Sequence, residues 1–314
     1  MIEEAAKKEL STDVKRKLLL QYILRSRGIL HENVLLTCLL QLEQVDVTEE
    51  GFDEDIWLER LSHYISEINL KLSKIHYKVI KISHGMGKNY VTQKVMSNFD
   101  NEWNLRPSSR FYVYVNLNST KETELATTLR PSEIEFVKWT IEKLATLKGI
   151  SQSSSSENCP VELEIDRILK DWYERTEHET VRLPYRTTYT FGSMHLMAYT
   201  EFSSSEVEKL LSKLCELKWL YRTDKGSYGL DLKLLLEMEE YLLETHSMTT
   251  CESCQRIVNQ GVLCTGCVAN QTVDDDETEL TAWHVDCFEY HLKHISQNCN
   301  KCESDILKAG AYLV

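Results

Sequence analysis

At 314 residues, a prior of about 150 residues per domain suggests two or three domains. Its 36 lysines and arginines against 49 aspartates and glutamates give a formal net charge of −13, which excludes a protein that coats nucleic acid over its whole surface but leaves room for a local basic patch. No apolar run approaches the ~18 residues of a membrane span, and the opening residues, MIEEAAKKELSTDVKRK, lack the apolar stretch of a secretory leader, so no membrane is expected.

In chain order, a first helix is predicted from about Thr12 to Arg27, closed by Gly28, which adopts the left-handed C′ conformation at little cost. A second covers Glu32 to Glu43. A third begins near Asp53 and aligns Trp57, Leu61, Tyr64, Ile65, Ile68 and Leu72 on one face. YKVIKI, Tyr77 to Ile82, reads as a strand, HGMGKN as a turn and Tyr90 to Thr92 as a returning strand; RFYVYVNL, Arg110 to Leu117, is a further strand. Three helices followed by a hairpin is the order of a winged helix, assigned to residues 1–125.

The outline repeats over residues 126–246. Ser132-x-x-Glu135, after Pro131, reads as a capping box, and its helix places Ile134, Val137, Ile141 and Leu144 on one face. GISQSSSSEN, residues 149–158, is a flexible Ser-rich loop. A helix follows from about Val161 to Glu174. Ser203-x-x-Glu206 is a second capping box, and its helix aligns Val207, Leu210, Leu211, Leu214 and Leu217. WLYRTDKGSYGL, Trp219 to Leu230, is a hairpin with a D-K-G turn, and a last helix runs from about Asp231 to Thr245. The fold class is therefore α+β and mainly helical: two tandem winged helices, then a small zinc-bound domain in residues 247–314.

A winged helix often reads DNA through its third helix. Neither third helix here carries a basic stripe. The first sets Glu54, Asp55, Glu59 and Glu67 against Arg60 and Lys71, and the second is equally mixed, so protein contact is the expected use. Between Glu67 and Asp100, however, there is no acidic residue. The wing lysines Lys78, Lys81 and Lys88 in that stretch are the candidate DNA contacts, against the simpler reading that they face solvent or an acidic neighbour.

Of ten cysteines, Cys38, Cys159 and Cys215 are scattered and read as small buried apolar residues; the other seven lie between Cys251 and Cys302. The pairs are Cys251-x-x-Cys254, Cys264-x-x-Cys267, His284-x-x-Cys287 and Cys299-x-x-Cys302. A two-residue gap lets one tight turn present both members of a pair, and eight ligands make two closed tetrahedral zinc sites. With no position left for water, hydrolytic zinc chemistry is not expected. Spacing alone leaves open whether adjacent or alternate pairs share a metal. The ligand order resembles RING variants and PHD fingers, both cross-braced, and that resemblance puts Cys251, Cys254, His284 and Cys287 at one zinc and Cys264, Cys267, Cys299 and Cys302 at the other. A PHD finger keeps a tryptophan where Gln297 stands and a short gap where sixteen residues precede His284, so RING-like is the better reading. His291 and His294 are expected on a short helix, roughly Phe288 to Ile295, outside the ligand set. DDDETE, Asp274 to Glu279, reads as a solvated loop.

KLLLQYILRSRGILHENVLL (Lys17 to Leu36), SHGMGKNYVT (Ser83 to Thr92), SEIEFVKWTIE (Ser132 to Glu142), LCELKWLYRTDKGSYGLDL (Leu214 to Leu232) and WHVDCFEYHLKHISQNCNKC (Trp283 to Cys302) together resemble the non-SMC element one subunits of the SMC five/six complex, in their yeast-type form. The resemblance implies a nuclear, chromatin-associated protein of DNA repair and recombination. It implies partnership with a MAGE-type subunit and a kleisin subunit, and a ubiquitin-ligase activity, promoted by the MAGE-type partner, that engages a ubiquitin-conjugating enzyme.

A RING ligase contributes no covalent catalytic residue; it holds a ubiquitin-loaded carrier enzyme so that near-attack geometry is favoured. Active RINGs usually place an aliphatic residue where Ser253 stands, proline where Asn300 stands and a basic donor where Glu303 stands, so low intrinsic activity is expected. Ile257, Val258, Phe288, Leu292 and Ile295 are the candidate carrier-enzyme face, or else part of the module's core. The alternatives are a non-catalytic assembly subunit and a PHD-like chromatin reader, whose aromatic cage would have to come from Trp283, Phe288 and Tyr290.

Overall fold

A computed structural model describes residues 10–48, 50–97, 105–117, 129–153, 159–176, 182–269 and 280–314. The acidic stretch Asp274 to Glu279, and residues 154–158 of the Ser-rich loop, lie outside them.

The N-terminal unit runs α1 (Thr12–Arg25), β1 (Ile29–His31), α2 (Glu32–Glu43), α3 (Glu54–Leu72), β2 (Tyr77–Ser83), α4 (Lys88–Met96) and β3 (Arg110–Asn116). Arg27 and Gly28 are both left-handed at the end of α1, and the Gly28 N–H donates to the Ile23 carbonyl at 2.9 Å, satisfying an orphan acceptor. Asp53 caps α3 by accepting from the Asp55 N–H at 2.9 Å. The antiparallel sheet has the order β1-β3-β2, and its apolar face closes over Leu19, Ile23, Leu35, Leu36, Leu39 and Leu61.

One predicted strand is a helix. Tyr90 to Thr92 lies in α4, because β2 already pairs with β3 along its whole length, from Tyr77↔Asn116 to Ser83↔Arg110. The returning strand is thus β3, and the segment between is helical and buries Val91 and Thr92.

The second unit contains α5 (Pro131–Leu144), β4 (Ser151–Gln152), α6 (Pro160–Thr176), β5 (Tyr185–Thr187), β6 (Phe191–Gly192), α7 (Ser193–Leu196), α8 (Ser204–Glu216), β7 (Leu220–Arg222), β8 (Ser227–Leu230), α9 (Leu232–Glu237) and α10 (Glu239–His246). Ser203 and Glu206 form the expected capping box, at 2.9 Å from the Ser203 N–H to the carboxylate. The box expected at Ser132 and Glu135 forms two residues earlier. Pro131 takes the first helical position, so the chain enters at Arg130, whose N–H donates to Glu133 at 2.7 Å. The last predicted helix breaks at Met238 into α9 and α10.

The C-terminal segment adds β9 (Gly261–Cys264), α11 (Gly266–Ala269), β10 (Thr281–Trp283), α12 (Val285–His294), α13 (Ile306–Ala309) and β11 (Gly310–Leu313). Its strands continue into the second unit: the sheet order is β10-β9-β11-β5-β4, with β5 parallel to β11 from Tyr185↔Ala311 to Thr187↔Leu313. One apolar core accordingly runs from Leu129 to Leu313, whereas the N-terminal unit has its own. Among the described residues no helix is long and apolar enough to cross a membrane.

Candidate metal centre

Two of the ligand pairs sit on tight turns of the same design. After Cys254, Gln255 is left-handed and its N–H donates to the Cys251 carbonyl at 2.9 Å; after Cys302, Glu303 is left-handed and its N–H donates to the Cys299 carbonyl at 3.0 Å. Each turn folds the chain back so that both sulfurs point the same way. Cys264 ends β9 and Cys267 lies in α11, while His284 and Cys287 bracket the first turn of α12.

The turns converge as two clusters, Cys251, Cys254, His284 and Cys287, and Cys264, Cys267, Cys299 and Cys302, with the ligand atoms of each within 4.8 Å of one another. The alternate pairs therefore share a cluster, which is the cross-brace. In the second cluster Cys264 Sγ lies 3.6 Å from Cys302 Sγ and Cys267 Sγ 3.6 Å from Cys299 Sγ. A zinc–sulfur distance of about 2.3 Å in a tetrahedron requires sulfur–sulfur edges of roughly 3.7 Å, so the sulfurs fit the ion. In the first cluster, His284 Nδ1 lies 3.2 Å from Cys254 Sγ, and Nε2 lies 3.0 Å from the Ile257 carbonyl. A carbonyl only accepts, so Nε2 carries the proton and Nδ1 offers its lone pair to the metal. Both clusters fit zinc, and each supplies four donors. The zincs would hold loops in place and leave no coordination position for a reacting water.

His291 and His294 stay outside both clusters. His291 is buried against the Trp283 ring at 5.0 Å, with Nε2 3.3 Å from the Asn298 carbonyl, and exposed His294 lies against Tyr290. The scattered cysteines are quiet thiols: burial pushes Cys38 and Cys159 up to about 11, and raises Cys215 as well.

The proposed carrier-enzyme face needs correction. Ile257, Val258, Phe288 and Leu292 are 5, 0, 0 and 6 % exposed, and only Ile295, at 56 %, is open to solvent. A zinc module this small uses its aliphatic residues as core, and Ile257 is further enclosed with Leu232, Leu235 and Leu236 of α9. The aromatic cage of a chromatin reader fails for the same reason: Trp283 and Phe288 are buried, which leaves Tyr290 alone at the surface. Outward on the two cysteine turns are Ser253, Cys254, Gln255, Asn300, Lys301 and Glu303.

Of the candidate DNA contacts, Lys81 pairs with buried Glu32 at 2.5 Å and Lys88 with Glu289 at 3.8 Å. Lys88 also opens α4 rather than standing on the wing. Lys78 is exposed on β2. The HGMGKN turn is legible in the sequence, but its contact with the metal site is not: it meets both residues between His284 and Cys287, where Gly85 accepts from the Val285 N–H and Lys88, opening α4, donates its N–H to Asp286.

A family model described as Nse1 non-SMC component of SMC5-6 complex matches residues 16–238, and one described as RING-like domain matches residues 251–302, from the first ligand to the last. Non-structural maintenance of chromosomes element 1 of Saccharomyces cerevisiae is 37% identical over 335 aligned residues, covering 99% of this chain and 99% of that protein. A solved chain of an Nse1-Nse3-Nse4 complex superposes over 92% of this chain and 95% of its own length, with a TM-score of 0.56 at 16% identity, a likeness of fold.

Proposed function

Because the chain belongs to the Nse1 family of non-SMC components of the SMC5-6 complex, we propose that it serves there as a RING-type ubiquitin ligase of low activity alone, raised by a MAGE-type partner. The work of the complex is assigned to DNA repair and recombination in the nucleus. The partners are the counterparts of the proteins named with the solved relative, Nse3 as the MAGE-type subunit and Nse4 as the kleisin.

The observation that carries the ligase reading is the cross-braced pair of closed clusters, with exposed residues on the turns Cys251–Gln255 and Cys299–Glu303 and an exposed Ile295. Such a surface acts by holding. It grips a ubiquitin-conjugating enzyme and restricts the thioester-linked ubiquitin, which raises the fraction in near-attack geometry without a catalytic side chain. Here the grip is weak. Ser253 and Asn300 offer polar groups where apolar contact would hold the carrier, and ionised Glu303 can only accept hydrogen bonds.

The test is discharge of ubiquitin from a panel of loaded conjugating enzymes, with and without the Nse3 counterpart. Acceleration is expected only with the partner. Glu303→Arg adds a forked donor at a position that is already left-handed and exposed, and should raise discharge several-fold. No acceleration across the panel, with either protein, would overturn the ligase reading. It would favour the second one, a non-catalytic assembly subunit, for which the burial of four of the five candidate face residues already argues.

A further inference from the structure

The SHGMGKN turn belongs to the N-terminal unit, yet it hydrogen-bonds to the two residues between two ligands of the first cluster. His84 to Gly87 connect β2 to α4. The Gly85 carbonyl accepts from the Val285 N–H at 3.0 Å, and the Lys88 N–H donates to Asp286 Oδ1 at 3.0 Å. Val285 and Asp286 are the two residues between the ligands His284 and Cys287.

These contacts satisfy two helix ends at once. Val285 N–H is an orphan donor in the first turn of α12, and a carbonyl from the other unit takes it. Lys88 N–H opens α4, whose N-cap is Gly87, a residue with no side chain to accept from it; the Asp286 carboxylate supplies the missing cap. The two helices therefore cap each other across the unit boundary. The glycines make the approach close enough. A Cβ on Gly85 would overlap the Gln260 carbonyl oxygen, and one on Gly87, at φ +90°, would stand 2.9 Å from Val285 Cγ1. The turn is held on its own side, where the His84 N–H donates to the Ser109 carbonyl at 2.7 Å and His84 Nδ1 accepts from the Met86 N–H at 3.2 Å, and across the boundary Lys88 Nζ lies 3.8 Å from Glu289 of α12.

We propose that Gly85, Gly87 and Asp286 are positioning residues for the first metal cluster, a crossed cap through which zinc occupancy and docking of the N-terminal unit hold each other in place. Zinc fixes the first turn of α12, and so presents Val285 and Asp286 to the turn. The docked turn in turn fixes His284 and Cys287 at ligand spacing. Such coupling is reciprocal: whatever loosens one side weakens the other by the same factor. The second cluster touches none of these atoms and lies outside the coupling.

The test uses the full-length chain loaded with two zinc equivalents. Zinc transfer to a chromophoric chelator is followed in wild type, Gly85→Val and Asp286→Ala. One equivalent should leave about tenfold faster in each variant, the net loss of a hydrogen bond or two, while the other keeps its wild-type rate. Cobalt substitution identifies the labile site, since cobalt held by three thiolates and an imidazole absorbs differently from cobalt held by four thiolates. Asp286→Ala keeps the experiment readable if Gly85→Val fails to fold, and Asp286→Asn, which retains an acceptor, should restore much of the wild-type rate. In the reverse direction, Cys254→Ser should speed amide exchange in α4, and Cys302→Ser, which disrupts the second cluster, should not. Wild-type release in both turn variants, equal acceleration of both zincs, or equal α4 exchange in the two cysteine variants would each overturn the proposal.

Discussion

Glu237 near the end of α9 is enclosed enough that burial raises its carboxyl to about 7, with Lys233 and Trp219 offsetting only part of the cost. Asp231, the cap of that helix, is raised to about 6, again chiefly by burial. A folded pKa above the unfolded one means that the folded chain keeps a proton the unfolded chain has released. For Glu237 stability is fullest below about 4.5, falls as pH climbs toward about 7, and stays reduced above that. Glu237→Gln removes the titration and keeps the shape. It should gain roughly 2–3 kcal/mol over wild type at pH 8 and almost nothing at pH 4.5, read as the difference in urea midpoints at each pH. A constant difference at both pH values would show that Glu237 is not held in this state. Comparing the two proteins at one pH also cancels the pH dependence of zinc binding. At this scale the sequence is legible where partners are near in the chain, as in Cys251-x-x-Cys254, whose two-residue gap fixes a turn. It is silent on Asp286, whose partner Lys88 lies 198 residues away, and on which of Ile257, Val258, Phe288, Leu292 and Ile295 face outward, since burial depends on what folds over them.

Among elements, those with their own periodicity were the readable ones. α2 occupies Glu32–Glu43 as expected, and α3 buries Leu61, Tyr64, Ile65, Ile68 and Leu72, all on the predicted face. Tyr90–Thr92 reads as a returning strand but lies inside the helix α4, because pairing elsewhere in the sheet decides its state. β5 gave no signal at all: it is three residues long and owes its existence to β11, across more than a hundred residues of chain. That pairing makes a prediction about residues 247–314. Cut away from β5, the module keeps its eight ligands but gains an open strand edge along β11 and loses the wall of apolar residues that covers Val262, Leu263 and Leu313. The fragment should bind two zincs yet show a poorly dispersed amide spectrum and a broad melt, and extending it to residues 129–314 should restore a cooperative transition. A sharp melt of the short fragment would mean that its metals alone are enough to fold it.

For the molecule as a whole, a net charge of −13 makes contact with DNA a question of which cations are left over. The acid-free stretch after Glu67 looks basic only along the chain. In three dimensions Lys71 meets Asp13 at 2.7 Å, Lys81 meets Glu32 and Lys88 meets Glu289, each carboxylate coming from a distant segment. Lys74 and Lys78 stay exposed, with no carboxylate within ion-pair distance among the described residues. Two phosphate contacts imply that log affinity falls with log salt at a slope of about −2. Lys78→Glu should roughly halve that slope and lower affinity for duplexes of any sequence alike. Lys81→Glu and Lys88→Glu are poorer probes, because each would set a second carboxylate against Glu32 or Glu289 and destabilise the fold before it reported on DNA. Fluorescence anisotropy with a short duplex between about 50 and 200 mM salt separates the cases. A slope much steeper than −2 that survives Lys78→Glu would place the DNA on another surface, and an affinity indifferent to salt would remove phosphate contact from this chain altogether.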